Sequence, residues 1–150
     1  DEKEIYVISG EEKYRWEKLG SFYEYKQVGK RQQAPWQEAS QQTIMKAKSA
    51  VTKQELIGGT DWEEALEMAI EMDPKPQVLY FMTDGASGDN SERIARKIAA
   101  KARRDGIVVN CVALMEPKAA EAMMILAERT NGQFTMVEKG GKVVPYEMKK

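Results

Sequence analysis

Apolar positions along this chain alternate between short continuous runs and a three-to-four-residue repeat, the pattern of strands interleaved with amphipathic helices. Glu4-Ile5-Tyr6-Val7-Ile8-Ser9, closed by Gly10, predicts a short buried strand. Pro35 opens a helix to about Lys53, with Ala39, Ile44, Ala47 and Val51 near helical spacing. Gly58-Gly59 interrupts it, and Trp62, Ala65, Leu66, Ala69 and Ile70 mark the inner stripe of a second helix that ends at Asp73-Pro74-Lys75-Pro76. Gln77 to Met82 does not alternate with polar residues, which predicts a strand buried on both faces. A third helix begins near Ser91 with Ile94, Ala95, Ile98, Ala99 and Ala102 inward, and Asp105-Gly106 stops it. Ile107 to Leu114 reads as the next strand. Pro117 to about Arg129 follows as a helix, with Ala119, Ala122, Met123, Leu126 and Ala127 inward and Asn131-Gly132 at its end. Gln133 to Val137 is a closing strand. The tail from 139 to 150 is either an edge strand at Val143-Val144, given Pro145, or unstructured.

Strands alternating with helices predict an α/β fold: a mostly parallel, doubly wound, Rossmann-like sheet with right-handed crossovers and helices on both faces. At 150 residues with 42% hydrophobic content, one domain spanning 1–150 is the expectation. Residues 11–36 interrupt the pattern. Six of the aromatics, Tyr14, Trp16, Phe22, Tyr23, Tyr25 and Trp36, lie among Arg15, Lys18, Lys26, Lys30 and Arg31. Such interleaving can stack single-stranded bases while cations track phosphates. Glu11, Glu12, Glu17 and Glu24 dilute the charge, so an irregular flap packed on the domain is the preferred reading and nucleic-acid binding an alternative. The third helix carries Arg93, Arg96, Lys97, Lys101, Arg103 and Arg104 on its other face. These read as a solvated face that complements the helix dipole, with docking of a phosphate backbone as the alternative.

A net charge of −1 with both signs dispersed gives no electrostatic signature of partner class. Histidine is absent, which removes Ser-His-Asp and Cys-His catalysis and the common zinc sites. The one cysteine, Cys111, lies in an apolar run and reads as a buried hydrophobe. No apolar run approaches the roughly 20 residues that span a bilayer, and no leader-like segment opens the chain. The expectation is a soluble domain without membrane contact, its compartment undetermined.

Candidate chemistry centres on two loops. Gly58-Gly59-Thr60-Asp61 and Thr83-Asp84-Gly85 flank a single helix, so a βα-type fold places the Thr60 hydroxyl and the Asp84 carboxylate on one rim, where open α/β sheets bind ligands. A hydroxyl and a carboxylate suit a hard divalent cation. Each also has a structural explanation. Thr60 with Glu63, or Asp61 with Glu64, fits a capping box, and Asp84-Gly85 is a common turn pair.

The segments GGTDWEEALEMAI, QVLYFMTDG, IVVNCVAL and NGQFTMV, over about residues 55 to 137, resemble the later part of a von Willebrand factor type A domain, bacterial-looking in its Gly-Gly-Thr-Asp-Trp region. The resemblance implies a metal-ion-dependent adhesion site built from an Asp-x-Ser-x-Ser loop, a Thr in a Gly-rich loop and an Asp ending a strand. Thr60 and Asp84 match the last two. No Asp-x-Ser-x-Ser occurs in this chain, so the implied site is partial, with weak or no binding of Mg²⁺ or another divalent cation by this chain alone. Gly58, Gly59, Asp61 and Gly85 would form the protein-binding rim around it, with Glu63 or Asp89 nearby. The resemblance also implies a partner protein that reaches the cation through an acidic side chain.

In the resembled fold the missing first strand lies beside the strand ending in Asp84. An incomplete domain is therefore expected, in which the 77–83 strand pairs with Ile5 to Ile8, with Val143-Val144, or with another chain or segment. The leading functional reading is a non-enzymatic protein-interaction domain. The enzymatic alternative is a Mg²⁺-dependent phosphohydrolase or phosphotransfer domain using Asp84.

Overall fold

A computed structural model describes residues 4–6, 13–19, 22–28, 36–53, 60–115 and 117–144. The chain divides into two compact units, Asp1–Ile57 and Gly58–Lys150.

In the first unit β1 (Glu4–Tyr6), β2 (Lys13–Leu19) and β3 (Phe22–Val28) form an antiparallel sheet in that order. The register sets Trp16 opposite Tyr25 and Leu19 opposite Phe22. Within the stretch expected to form an irregular flap, the described residues 13–19 and 22–28 are paired strands. Aromatic residues favour strands, and the Gly20-Ser21 spacer has the length and the leading glycine of a two-residue hairpin. Of the strand expected over 4–9, only Glu4–Tyr6 falls within the described residues. Helix α1 (Gln41–Lys53) starts later than Pro35 predicts, because Ser40 provides the cap: its Oγ accepts the Thr43 amide at 3.2 Å. Ile44, Met45 and Val51 are exposed on it.

The second unit has α2 (Glu63–Ile70), β4 (Val78–Thr83), a 3-10 turn (Gly88–Asn90), α3 (Ser91–Arg104), β5 (Val108–Leu114), α4 (Pro117–Arg129), β6 (Phe134–Val137) and β7 (Val143–Val144). The sheet order is β4-β5-β6-β7, with β4, β5 and β6 parallel and β7 antiparallel on β6. The expected α/β class with a mostly parallel sheet is therefore observed, and Val143-Val144 takes the edge-strand alternative. No described helix is long and apolar enough to cross a membrane.

Helices α3 and α4 pack together over β5, and α2 packs on α3, all on the sheet face that carries Leu79, Phe81, Val109, Cys111, Ala113, Phe134 and Met136. The inward positions expected for α3 and α4 are buried. Two expectations are corrected. Ala65 of α2 is exposed, and Glu67 takes its place on the buried side with Leu66 and Ile70. Strand β4 is buried on one face only, with Val78, Tyr80 and Met82 exposed at 45%, 78% and 59%. The reason is topological: β4 ends the sheet, and among the described residues of this unit no helix covers its second face. A continuous apolar run reports the intent to bury both faces, not whether a covering layer is at hand.

The two inter-strand turns share one device. Gly106 and Asn131 adopt left-handed φ of 71° and 58° just past α3 and α4. The amides that follow, Ile107 to the Ala102 carbonyl and Gly132 to the Ala127 carbonyl, close each helix at 2.8 Å in Schellman fashion. Thr130, buried, joins α4 to β5: its hydroxyl accepts the Val109 amide at 3.1 Å and bonds the Leu126 carbonyl at 2.9 Å.

The basic face of α3 is largely neutralised by α2. Arg93 and Lys97 meet Glu63, and Lys97 and Lys101 grip Glu67 at 2.9 and 2.6 Å. Glu67 is 5% exposed while the two lysines keep contact with water. Glu67→Ala should therefore cost about 1–2 kcal/mol, below the range for a fully buried pair because the freed ammonium groups rehydrate. Glu71→Ala, at the exposed end with a 3.9 Å contact to Lys101, should change stability by about 0.5 kcal/mol or less. Urea denaturation of the two variants checks this, and equal losses would refute the ladder's gradation. The hydrogen bonds that Lys97 donates to Glu63 and Glu67 raise its pKa above 10.5, so its contribution is complete below that pH and is lost as pH climbs through the raised value.

Candidate functional site

The candidate rim lies at the carboxyl end of β4, where the chain leaves the sheet through Thr83-Asp84-Gly85. Thr83 ties this exit together. Its hydroxyl accepts the Gly85 amide and donates to the Gly85 carbonyl, both at 3.1 Å, turning the chain sharply beneath Asp84.

The loop before α2 sits directly against this turn. A Cβ placed on Gly85 would run into the Thr60 Oγ1, so Gly85 is where the two loops make their closest approach. Three hydrogen bonds hold them. The Trp62 indole donates to the Gly85 carbonyl at 3.1 Å, the Trp62 amide donates to Ser87 Oγ at 3.0 Å, and Ser87 Oγ donates to the Thr60 carbonyl at 3.3 Å. Trp62 is buried and presents its ring edge-on to Phe81, with centroids 5.2 Å apart. The residue expected only as part of an apolar stripe is thus also the polar rivet of the rim. A buried indole N–H needs an acceptor, and that requirement was the available signal. Nothing in the spacing of Ser87 marks it in advance.

Thr60 and Asp84 are exposed, and the Thr60 hydroxyl lies beside the residue that follows Asp84. Asp84 makes no hydrogen bond or ion pair with any described residue. Asp61 Oδ1 accepts the Glu63 amide at 3.0 Å, a local turn bond just ahead of α2, whose N-cap residue is Trp62. Glu63 turns away to Lys97 and Arg93. Asp89 is exposed on the 3-10 turn. Gly58 and Gly59 lie outside the described residues.

The von Willebrand factor type A domain matches residues 26–136. The chain belongs to this family. The match reaches upstream of the segment that carries the resemblance and takes in the end of β3 and all of α1, crossing the division between the two units. Comparison with curated proteins and with solved structures gives no match.

The donor set at the rim does not fit a tightly held cation. Thr60 offers one neutral hydroxyl and Asp84 one carboxylate, while Asp61 already spends an oxygen on the Glu63 amide. No group of three or more Asp, Glu or Cys side chains able to hold a metal occurs among the described residues. A Mg²⁺ ion needs six oxygens and gives up water reluctantly, so two protein donors leave it mostly hydrated and exchanging.

Away from the rim, Cys111 is buried, as its apolar run predicts, and burial pushes its thiol up to about 12. At neutral pH it is a protonated core residue that no alkylating reagent reaches without opening the sheet.

Proposed function

We propose that this von Willebrand factor type A domain docks a protein partner, without catalysing a reaction, on the rim formed by Thr60, Asp61, Asp84 and Gly85, with Gly58 and Gly59 leading into it. A protein-interaction role is general to the family. The observation that carries the finer reading is the packing of the Thr60 hydroxyl on Gly85, which brings exposed Thr60 up against the residue that follows exposed, unengaged Asp84, on two loops pinned by Trp62 and Ser87. Rigid loops presenting free polar groups lose little entropy on docking.

The free edge of β4 is the second surface this reading uses. Val78 to Thr83 contains no charge, Pro or Gly, the features that blunt natural edges, and one side of its ladder has no strand among the described residues. A strand from another chain, or from a segment outside the described residues, would complete it by β-augmentation.

The test compares proteins retained by the wild-type chain and by Asp84→Asn and Thr60→Ala, each with Mg²⁺ and with EDTA. The expected result is a partner whose affinity falls roughly tenfold in Asp84→Asn and changes little with EDTA, together with slowed amide exchange along β4. Retention that EDTA abolishes would replace this reading with a cation-bridged one. Mg²⁺-dependent phosphatase turnover that vanishes in Asp84→Ala would make the domain an enzyme. Salt-sensitive binding to single strands that is lost in Trp16→Ala would move the function to the 14–36 segment.

A further inference from the structure

We propose that the cleft between the last turns of α3 and α4, at the end of the sheet opposite the rim, binds a phosphoryl group. Its volume is about 470 Å³, and Ala99, Ala100, Arg103, Arg104 and Arg129 line it. That size lies within the range of small-ligand sites.

The argument begins with what the other cations do. On α3, Arg93 and Lys97 are paired with Glu63, Arg96 with Glu92, Lys101 with Glu67, and Arg104 with Asp105. Of the α3 cations, only the Arg103 side chain makes no hydrogen bond or ion pair among the described residues, and the Arg129 side chain, lining the same cleft from α4, makes none either. Two arginines therefore line one cleft that no acid lines, while every other cation of α3 has an acidic partner.

Capping does not account for them. The Schellman closures already fill the carbonyls of Ala102, Arg103, Ala127 and Glu128 with the amides of Ile107, Gly106, Gly132 and Asn131. What remains of each helix dipole is about half a negative charge, less than the two unpaired guanidinium charges. The small floor of Ala99 and Ala100 leaves room for a ligand to reach both.

The ligand class follows from charge and geometry. Arg103 and Arg129 together match a dianion, and each planar fork can give two parallel N–H bonds to tetrahedral oxygens. A carboxylate offers half the charge and fewer acceptors. The phosphoryl group can come from a phosphorylated side chain of a protein or from a free phosphate compound.

The experiment titrates the full chain with pyrophosphate, a phosphoserine peptide, the same peptide with Glu in place of phosphoserine, and a single-stranded oligonucleotide, following backbone amide shifts by NMR. Saturable shifts at Ala99, Ala100, Arg103 and Arg129 are expected, with the phosphoserine peptide roughly tenfold or more tighter than its Glu counterpart. Affinity should drop by a similar factor in Arg103→Gln with Arg129→Gln, and part should be lost in Arg103→Lys, which keeps the charge and loses the fork. A tighter pyrophosphate than phosphopeptide assigns the source as a free phosphate compound and still supports the site. No saturable shift with either phosphate ligand, equal binding of the Glu peptide, an unaffected double variant, or tightest binding of the oligonucleotide would overturn the proposal. Arg103 and Arg129 are exposed, so these variants leave the fold intact.

Discussion

Gly132→Ala should destabilise the domain by about 3 kcal/mol or more, a larger loss than most single methyl additions cause. A Cβ at this position would overlap the Val109 carbonyl of β5, with the Asn110 amide close behind. Both are backbone atoms of an interior strand, and neither can move without disturbing the ladder between β5 and β4, where Val109 pairs with Leu79 and Asn110 with Tyr80. Gly132 is also held in place, because its amide closes α4 on the Ala127 carbonyl and the Gln133 amide bonds Asn110 Oδ1 at 2.8 Å. The chain is thus clamped on both sides of the clash, and relief requires lifting the α4–β6 turn away from β5. Urea denaturation should show the lower midpoint. Alkylation of Cys111, whose amide bonds the Gln133 carbonyl in the same turn, should accelerate at neutral pH. A variant with wild-type midpoint and a still unreactive Cys111 would refute the close approach. Asn131→Ala, which forces a side chain into left-handed φ without that clash, should cost only about 1 kcal/mol.

That contrast shows how much of the fold could be read from residues alone. Asn131-Gly132 was legible as a helix stop, and the stop is there. The division of labour was not, since the asparagine takes the left-handed turn and the glycine makes room for a strand more than twenty positions earlier, a contact no local rule contains. The buried stripes of α3 and α4 were legible because each helix meets one sheet face and its periodicity records that face directly. The double burial that the apolar run of β4 suggests fails for the converse reason: Val78, Tyr80 and Met82 are apolar, but whether they are covered depends on a layer, not on their own spacing. In residues 11–36 the interleaved aromatics and cations suggest stacking and charge, while the same aromatics also favour the strands that pair as β2 and β3. At the rim, the convergence of the Thr60 and Asp84 loops was accessible from the βα spacing. The bonds that hold it, through Thr83 and Ser87, are side-chain to backbone contacts with no sequence signature, and neither capping box expected here, Thr60 with Glu63 or Asp61 with Glu64, forms as written: Asp61 takes the Glu63 amide.

Trp62→Ala should cost about 4 kcal/mol, and its effect should reach the rim. Trp62 is 2% exposed, packs edge-on against Phe81 of β4, and its two N–H groups hold Gly85 and Ser87. Removing the ring takes away the largest side chain of the α2 contact and opens a cavity between α2 and the sheet. Trp62→Phe separates packing from polarity. It keeps an aromatic edge against Phe81 but removes the indole donor, leaving the Gly85 carbonyl with the Thr83 hydroxyl alone, at a cost of about 1–2 kcal/mol. Because the backbone amide of residue 62 still reaches Ser87 in both variants, the loops should stay attached on that side and loosen on the other. The Gly85 amide should therefore exchange faster in Trp62→Phe, while amides in β5 exchange at rates that follow only the global loss of stability. If docking uses this rim, Trp62→Phe should weaken partner binding by more than its stability loss explains, since Thr60 and Asp84 would have to be brought together at the moment of binding. Thermal denaturation with amide exchange measures both parts. Equal losses in the phenylalanine and alanine variants would assign Trp62 to packing alone, and an unchanged Gly85 amide would remove the indole bond from the account of how the two loops are joined.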